Sequence, residues 1–240
     1  MGNEIGDSPS GENQPDFSEE FYREHAGRYA QVFNDPGHAL FVKSSHEALR
    51  EEVNLLDRLM ELAASGKCGL DAGCATARDT YYFWKLGCDI RGLDAVEENI
   101  QVAQELYPEI ADLLSVADLR RPLEFPDKHF DFIVCSAVIQ HIAPEYVFTV
   151  MLREFARVLK SRGVLQLTFK NGHGVKTVYD PAYGVDRTFQ LYDEQELLEA
   201  LESYGLNLVE AEDPNQLGGI MYFTDPKPME HCVFYVRKEK

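Results

Sequence analysis

The amino-acid sequence predicts an α/β fold built on a doubly wound, mostly parallel sheet. After Gly66, short apolar runs alternate with amphipathic stretches, beginning with CGLDAG, ATARDTYYFWKLG and DIRGLD. Strands that alternate with helices favour a parallel sheet covered by helices on both faces. The last two of seven apolar runs, LNLVEA and HCVFYVRK, have no helical stretch between them. They therefore predict a seven-stranded sheet that ends in an antiparallel strand.

An N-terminal helical extension is expected before the sheet. Residues 16–64 contain FSEEFYREHAGRYAQVF and SSHEALREEVNLLDRLMELAAS, and apolar residues of the second stretch recur at three- and four-residue spacing. Residues 1–15 are polar and acidic, which is typical of a disordered tail. The length of 240 residues suits one domain, so residues 16–240 are predicted to form a single unit.

Composition limits the classes of partner. The net charge of −18 argues against nucleic acid, because lysine and arginine supply most of the affinity for phosphates, although it does not exclude a local basic patch. No apolar run approaches the ~20 residues of a membrane-spanning helix. The five cysteines include no C-x-x-C pair, which favours buried, reduced thiols in a cytoplasmic protein over disulfides or a metal site.

Three aspartates stand at the ends of successive predicted strands. Asp71 closes the first strand, Asp94 closes the second, and Asp118 follows the third. Ligands bind beyond the carboxyl ends of strands in such sheets, and a carboxylate ~20 residues after the first turn commonly accepts ribose hydroxyls. A carboxylate after the third strand can accept from an adenine amino group. The alternative for each aspartate alone is that it caps the following helix.

Five segments in order resemble the class I methyltransferases that use S-adenosylmethionine. They are DAGCATARD, GLDAVEENI, VADL, FDFIVCSAVIQHI and RVLKSRGVLQL. The resemblance covers roughly Phe17 to Lys238. It implies a Rossmann-like fold, S-adenosylmethionine as the cofactor and transfer of a methyl group to an acceptor.

The resemblance also implies a set of cofactor-binding residues. The loop at Asp71 and Gly73 would hold the amino-acid end, Asp94 the ribose and Asp118 the adenine, and the N-terminal helix would close over the cofactor. The implied residues are Tyr22, Tyr29, Asp71, Ala72, Gly73, Arg78, Asp94, Ala95, Asp118, Leu119, Ser136 and Ala137. The two tyrosines share a helix face, and they are equally well explained as core residues.

The glycine-rich loop departs from the family pattern at Ala75 and Ala77. A methyl group at Ala75 is tolerated if φ is negative there and is costly if the loop needs a positive φ. At Ala77 the expected requirement is close helix packing, which suits alanine as a strong helix former. We expect cofactor binding to survive. A nicotinamide enzyme is the lesser alternative, because its fingerprint needs glycine or alanine where Arg78 stands.

Candidate catalytic residues are His141, Arg187 and Tyr192. His141 lies beside the implied transfer path, where imidazole can act as a base or simply hydrogen-bond at a helix start. Residues 171–192 predict a hairpin lid over the pocket, since two short alternating runs flank a turn at Asp180, Pro181 and Gly184. Arg187 on this lid would clamp a substrate carboxylate, or pair with one of the many surface carboxylates. The 212–230 loop is long enough to be a second lid or binding segment.

The leading functional hypothesis is a cytoplasmic methyltransferase that acts on a small molecule by direct displacement from the sulfonium. A non-catalytic S-adenosylmethionine sensor or scaffold is the first alternative, and an RNA or protein methyltransferase is the second. The expected partners are a small-molecule methyl acceptor and at most a second copy of the chain, as a monomer or homodimer, with no membrane and no metal.

Overall fold

The computed structural model describes residues 17–39, 54–63, 66–211, 218–224 and 229–239. The predicted acidic tail at residues 1–15 lies outside the described residues. So do residues 40–53 of the predicted helical extension and parts of the 212–230 loop. Within the described ranges, no helix combines the length and the apolar character that crossing a bilayer requires.

The strands of the described residues form one large sheet and one hairpin. In chain order the strands are β1 Cys68–Ala72, β2 Asp89–Asp94, β3 Leu114–Val116, β4 Phe130–Ser136, β5 Leu159–Lys170, β6 Val175–Asp180, β7 Val185–Gln190, β8 Leu206–Leu208, β9 Ile220–Thr224 and β10 Glu230–Lys238. The main path of the sheet is β3-β2-β1-β4-β5-β10-β8, with β9 paired to β10, and β6 pairs with β7 alone. Strands β1 to β5 run parallel, whereas β10 is antiparallel to its neighbours β5, β8 and β9.

The predicted fold class is confirmed. Seven strands lie on the main path, and the two closing runs pair antiparallel at the end of the sheet. The difference is β9, which lies in a stretch expected only to be a loop. Its Met221 faces the core and is 8% exposed, whereas Tyr222 is 49% exposed, so this short strand alternates as an edge strand does.

Helices cover both faces of the sheet. They are α1 Phe17–Asn34, α2 Leu55–Ala63, α3 Arg78–Lys85, α4 Glu97–Leu106, α5 Leu152–Val158 and α6 Glu194–Ser203. Short 3-10 segments precede β3 and follow β4, and a π-helical turn at Val147–Met151 leads into α5. Neighbouring residues of β4 point to opposite faces: Ile133 and Cys135 pack with α5 and α6, whereas Phe132 and Val134 pack with α2 and α3. Burial on both faces explains why the strands read as continuous apolar runs.

The five cysteines are free thiols, and four of them are buried. Cys135 is completely buried in the core, and burial raises the pKa of its thiol. The described part of the chain contains no group of three or more His, Cys, Asp or Glu residues arranged to hold a metal ion.

Candidate active site

A cavity of about 490 Å³ opens at the carboxyl ends of β1 to β5. Its volume falls within the range of roughly 300–1,000 Å³ that small-molecule sites occupy. Helix α1 crosses this edge of the sheet and packs on α4, and the β6–β7 hairpin contributes further wall residues. Parallel strands end together here, so side chains distant in the sequence meet in one space.

Most of the sequence-predicted site residues line this cavity. They are Tyr22, Tyr29, Asp71, Gly73, Arg78, Asp94, Ala95, Asp118, Leu119, Ser136, Ala137, His141 and Arg187. The three strand-end aspartates therefore share one space, as the sequence predicts for a ligand site. We call the wall formed by Asp71, Asp94 and Asp118 the acidic half of the cavity. The wall formed by Lys170, Arg187 and His231 is the basic half.

Tyr192 and Ala72 are not wall residues of the cavity. Tyr192 is only 2% exposed, packs in the main core cluster and donates from its hydroxyl to the carbonyl of Ile142 at 2.6 Å. This buried hydroxyl is already hydrogen-bonded to a backbone carbonyl, which is typical of a structural residue. The structure therefore does not support the expected catalytic role of Tyr192. The side chain of Ala72 is fully buried in the same core cluster, where it cannot reach a ligand.

The loop after β1 holds two alanines in the left-handed region. Gly73 has φ +83°, Ala75 has φ 47° and Ala77 has φ 58°. The expectation that Ala77 is simply helical is therefore wrong: it is the residue before α3, in left-handed conformation and fully buried. Left-handed backbone costs a non-glycine residue about 1–2 kcal/mol, so this loop is strained at both positions where the family has glycine. No side chain caps α3 among the described residues, so its first-turn N–H groups lack a side-chain acceptor.

Asp94 ties this loop to the next helix. One carboxylate oxygen accepts from the backbone N–H of Ala75 at 2.9 Å, and the other accepts from the N–H of Val96 at 2.9 Å and the side chain of Asn99 at 3.2 Å. Burial raises the pKa of Asp94, although these hydrogen bonds partly oppose the shift. The Asn99 amide nitrogen makes the bond to Asp94, and its amide oxygen is buried in the cavity wall with no hydrogen-bond partner among the described residues. It is an acceptor that a ligand donor can satisfy.

Asp71 lies deepest in the acidic half. It is 3% exposed and accepts a hydrogen bond from the hydroxyl of Thr80 at 2.6 Å. Burial, and then the nearby Asp79 carboxylate, raise the pKa of Asp71 to about 8. A carboxyl group of this kind holds its proton near neutral pH and ionises when a cation approaches.

Asp118 links the end of β3 to helix α1. Its carboxylate accepts from the Nε of Arg120 at 2.8 Å, and Arg120 also pairs with Glu19 on α1 at 2.5 Å. Burial alone would raise the pKa of Asp118, but the hydrogen bonds and charge of Arg120 outweigh it and hold the pKa below its usual value. Asp118 therefore carries a negative charge at neutral pH.

Both ring nitrogens of His141 are engaged by α1. Its Nδ1 lies 3.1 Å from the hydroxyl of Ser18, and its Nε2 lies 3.2 Å from the hydroxyl of Tyr22. This arrangement corresponds to the structural alternative, in which the histidine fixes the helix over the cavity.

Arg187 joins the hairpin to α1. It contacts the hydroxyl of Tyr22 at 2.5 Å and the carboxylate of Asp180 at 3.2 Å, and it lies 4.5 Å from the ring centre of Phe21 and 5.3 Å from that of Tyr183. Asp180 is fully buried, so this is an internal ion pair and not one with a surface carboxylate. Arg187 thus holds the hairpin down on the helix.

Sequence reasoning missed several wall residues of the cavity. They are Asn99, Gln140, Thr168 and His231. Lys170, which adjoins the predicted hairpin lid, and Phe223, which lies in the 212–230 segment expected to be a lid or binding segment, also line the cavity. His231 comes from β10, and no local signal predicts that this strand reaches the site.

Comparisons with known proteins agree with this geometry. A family model described as a methyltransferase domain matches residues 70–167, which include β2 to β4 and most of β1 and β5. The chain is 27% identical to the human mitochondrial ubiquinone biosynthesis O-methyltransferase, over 70% of this chain and 49% of that protein. These matches support a class I S-adenosylmethionine-dependent methyltransferase, with the methyltransferase domain matched over residues 70–167. The chain spans about half the length of that human relative and 36% of the mouse one.

Solved structures with this fold include two of different activity. A Burkholderia thailandensis 1,6-didemethyltoxoflavin-N1-methyltransferase, solved with bound 1,6-didemethyltoxoflavin and S-adenosylhomocysteine, is 18% identical. It aligns with a TM-score of 0.63, over 98% of this chain and 94% of that chain. The [4+2]-cyclase SpnF is 16% identical and aligns with a TM-score of 0.64, over 93% of this chain and 96% of that chain. At these identities the likeness establishes the fold alone.

The acidic half fits S-adenosylmethionine, the cofactor of this methyltransferase family. The cofactor carries an ammonium group, a sulfonium and several hydroxyl and amino donors. The carboxylates of Asp94 and Asp118, the ionisable Asp71 and the unsatisfied oxygen of Asn99 are acceptors for such groups. The uncapped start of α3 offers N–H donors for the cofactor's carboxylate.

Proposed function

We propose that this chain binds S-adenosylmethionine in the acidic half of the cavity and transfers its methyl group to a small-molecule acceptor bound in the basic half. The observation that carries the proposal is the convergence of Asp71, Asp94 and Asp118 on one cavity. S-adenosylmethionine supplies an electrophilic methyl group on a sulfonium, which an acceptor lone pair displaces while sulfur keeps the electrons of the broken bond.

The chain's own residues have three tasks in this proposal. Asp94 and Asn99 bind hydroxyl donors and set the position of the first loop through Ala75. Helix α1 closes the cavity, because Tyr22 reaches both His141 and Arg187. Closure of this kind excludes water and orients the acceptor for direct displacement, which supplies much of the rate when the donor is already activated.

A small acceptor is favoured over a macromolecule. The cavity is covered by α1 and the hairpin, which Arg187 connects, and a folded protein surface does not enter a space of about 490 Å³. The net charge of −18 also disfavours an RNA backbone. We further propose a cytoplasmic location, based on the five free thiols. The expected oligomeric state is a monomer or a homodimer.

Isothermal titration calorimetry tests the cofactor part of this proposal. S-adenosylmethionine and S-adenosylhomocysteine should bind the wild-type chain, and Asp94→Asn should weaken both by about tenfold or more, since hydrogen bonds to charged groups contribute about 1.5–3 kcal/mol. Asp89→Asn is the matched control, because Asp89 begins the same strand at its far end with its side chain 68% exposed. Equal affinities of the two variants would contradict the assigned ribose position.

A transfer assay separates an enzyme from a sensor. The cyclase activity of SpnF on the same fold, together with the strained Ala75 and Ala77 loop, favours keeping a non-methylating function as the second candidate. Radiolabelled methyl transfer to a panel of small phenols, thiols, amines and acids should yield a labelled product. Cofactor binding without transfer to any of them would support the sensor.

A further inference from the structure

A buried lysine–histidine pair lies in the basic half of the cavity. Lys170 is 3% exposed and His231 is 5% exposed, and the Lys170 Nζ lies 2.9 Å from the His231 Nε2. The two residues are direct partners in the antiparallel register of β5 and β10, so the sheet itself sets their approach. An ammonium only donates, so a protonated Lys170 requires a neutral His231 that presents Nε2 as the acceptor. Charged groups are rarely buried to this degree without a structural or functional reason.

Two further buried oxygens in the wall of the same cavity are unsatisfied. Thr168 is fully buried and Gln140 is 4% exposed, and both line the cavity. The hydroxyl of Thr168 and the amide oxygen of Gln140 have no hydrogen-bond partner among the described residues. Thr168 is two residues before Lys170 on β5, so the two side chains share a face of the sheet. Buried polar atoms are nearly always bonded, which indicates that a ligand or water completes this site.

Aromatic rings complete the same wall. The Lys170 Nζ lies 4.7 Å from the ring centre of Phe189, and the His231 ring stacks on Phe223 at 4.7 Å with an angle of 6° between the planes. Both phenylalanines line the cavity. Flat apolar surfaces of this kind suit a planar ring.

We propose that Lys170, His231, Thr168 and Gln140 form the acceptor subsite, and that it takes a planar compound whose reacting atom is an ionisable oxygen, as in a phenol or an enol. This inference rests on the proposed function. The basic half consists of Lys170 on β5, Arg187 on β7 and His231 on β10, and His141, which can also gain positive charge, packs beside it on Phe189. The carboxylate of Asp180, which also lines the cavity, already pairs with Arg187. A protonated amine would be repelled here, whereas an oxygen anion is stabilised.

The chemistry balances without a catalytic base. An acceptor hydroxyl that binds opposite the Lys170 ammonium as its anion has already released its proton to solvent. Its oxygen forms the new bond to the methyl carbon, and the sulfur–carbon bond breaks with both electrons going to sulfur. The products are a neutral ether and a neutral thioether. This agrees with the engagement of both His141 nitrogens by α1.

The test uses 4-nitrophenol as a probe, because its absorbance reports whether its oxygen is ionised. The wild-type chain is first saturated with S-adenosylhomocysteine, with binding followed by calorimetry, and then titrated with 4-nitrophenol at several pH values. We expect the bound probe to ionise at a lower pH than the free probe. Lys170→Gln should bind S-adenosylhomocysteine normally, lose this spectral shift and bind the nitrophenolate about 10- to 100-fold more weakly.

Three controls make the result specific. Lys170→Arg keeps the charge and should retain the shift, and Lys67→Gln removes an exposed charge just before β1, at the opposite edge of the sheet, and should behave as wild type. The neutral ether 4-nitroanisole should bind wild type and Lys170→Gln alike. Thermal unfolding and S-adenosylhomocysteine binding verify that each variant is folded, and Lys170→Met replaces Lys170→Gln if the latter is not.

The outcomes separate this inference from the function on which it rests. Normal S-adenosylhomocysteine binding together with an unchanged probe shift in Lys170→Gln, or with no probe binding to wild type at millimolar concentration, overturns the subsite and leaves the cofactor site standing. Failure of wild type to bind S-adenosylhomocysteine overturns both.

Discussion

The acidic and basic halves of the cavity are built from different kinds of sequence information. Asp71 and Asp94 lie at the ends of β1 and β2, Asp118 follows β3, and local loops and helix starts position them. Lys170 and His231 meet only because β10 pairs antiparallel with β5, 61 residues apart. The half proposed to hold the cofactor is therefore encoded locally and readable from motifs. The half proposed to hold the acceptor depends on long-range strand pairing.

Removing the Arg187 side chain, which connects the β6–β7 hairpin to α1, should have the largest effect on stability and on acceptor binding. Arg187→Met leaves Asp180 buried without its guanidinium partner, and breaking a buried pair costs about 3–5 kcal/mol. We expect faster hydrogen exchange in 175–190 and weaker acceptor binding, with S-adenosylhomocysteine affinity changed much less. Adding Asp180→Asn should recover part of the loss, since the uncompensated charge is removed. A cofactor affinity that falls as far as acceptor affinity would show that the halves are not independent.

The first loop should be intolerant of a side chain at Gly73. A Cβ there would lie 2.3 Å from a methyl group of Val138, in a backbone with φ +83°. Gly73→Ala combines overpacking with left-handed strain and should lower the free energy of unfolding by about 2–4 kcal/mol, read from thermal or urea unfolding.

Gly174→Ala is the matched control for this change. Gly174 has φ +69° with nothing within 4 Å of its added Cβ, so only the backbone strain of about 1 kcal/mol applies. Equal losses for the two alanine variants would show that the contact with Val138 is unimportant.

Ionisation of Asp71 in the acidic half should make the free energy of unfolding depend on pH. Its pKa in the folded chain, about 8, lies above the ordinary value of 3.8, so its contribution to stability is fully present at low pH and is lost as pH rises towards 8. The free energy of unfolding of wild type relative to Asp71→Asn should fall over this window, by at most about 1.4 kcal/mol per pH unit.

Ionisation of Asp71 should also make the affinity for S-adenosylmethionine depend on pH, in the opposite direction to stability. A cationic ligand favours ionised Asp71, so S-adenosylmethionine binding should release a proton below pH 8 and strengthen as pH rises. Calorimetry in buffers of different ionisation enthalpy measures this proton. Proton release that is unchanged in Asp71→Asn would assign it to another group.

The smallest expected effect is an increase in the free energy of unfolding. Ala77→Gly relieves the left-handed strain at a buried position but increases the freedom of the unfolded chain, so we expect a stabilisation below about 1 kcal/mol. A rise in the unfolding temperature measures it. Ala103→Gly, also buried but inside helix α4, should destabilise instead and serves as the contrast.

The sequence predicted most of the fold because its apolar runs are buried on both faces and are separated by amphipathic helices. It also predicted that the three aspartates meet at one edge of the sheet, since the ends of the apolar runs mark the ends of the parallel strands. It did not predict β9, whose alternation is confined to a few residues within a loop-like stretch. It did not predict the left-handed conformation of Ala77 either, because alanine is typical of helices. In the fold, Ala77 packs in a buried cluster with Ile100 and Ala103 of α4.

The sequence by itself determined the α/β class, the order of the parallel strands and the acidic half, because these follow from local periodicity and from residues beside their own strand ends. Only the tertiary structure decided that Tyr192 is buried, that Arg187 pairs with Asp180 and that Lys170 faces His231. The Tyr192 and Lys170 contacts join segments far apart in the chain, whereas Arg187 meets Asp180 through the register of the β6–β7 hairpin. The free energy that selects these contacts comes from burial and strand register, which are not legible in the residue pattern.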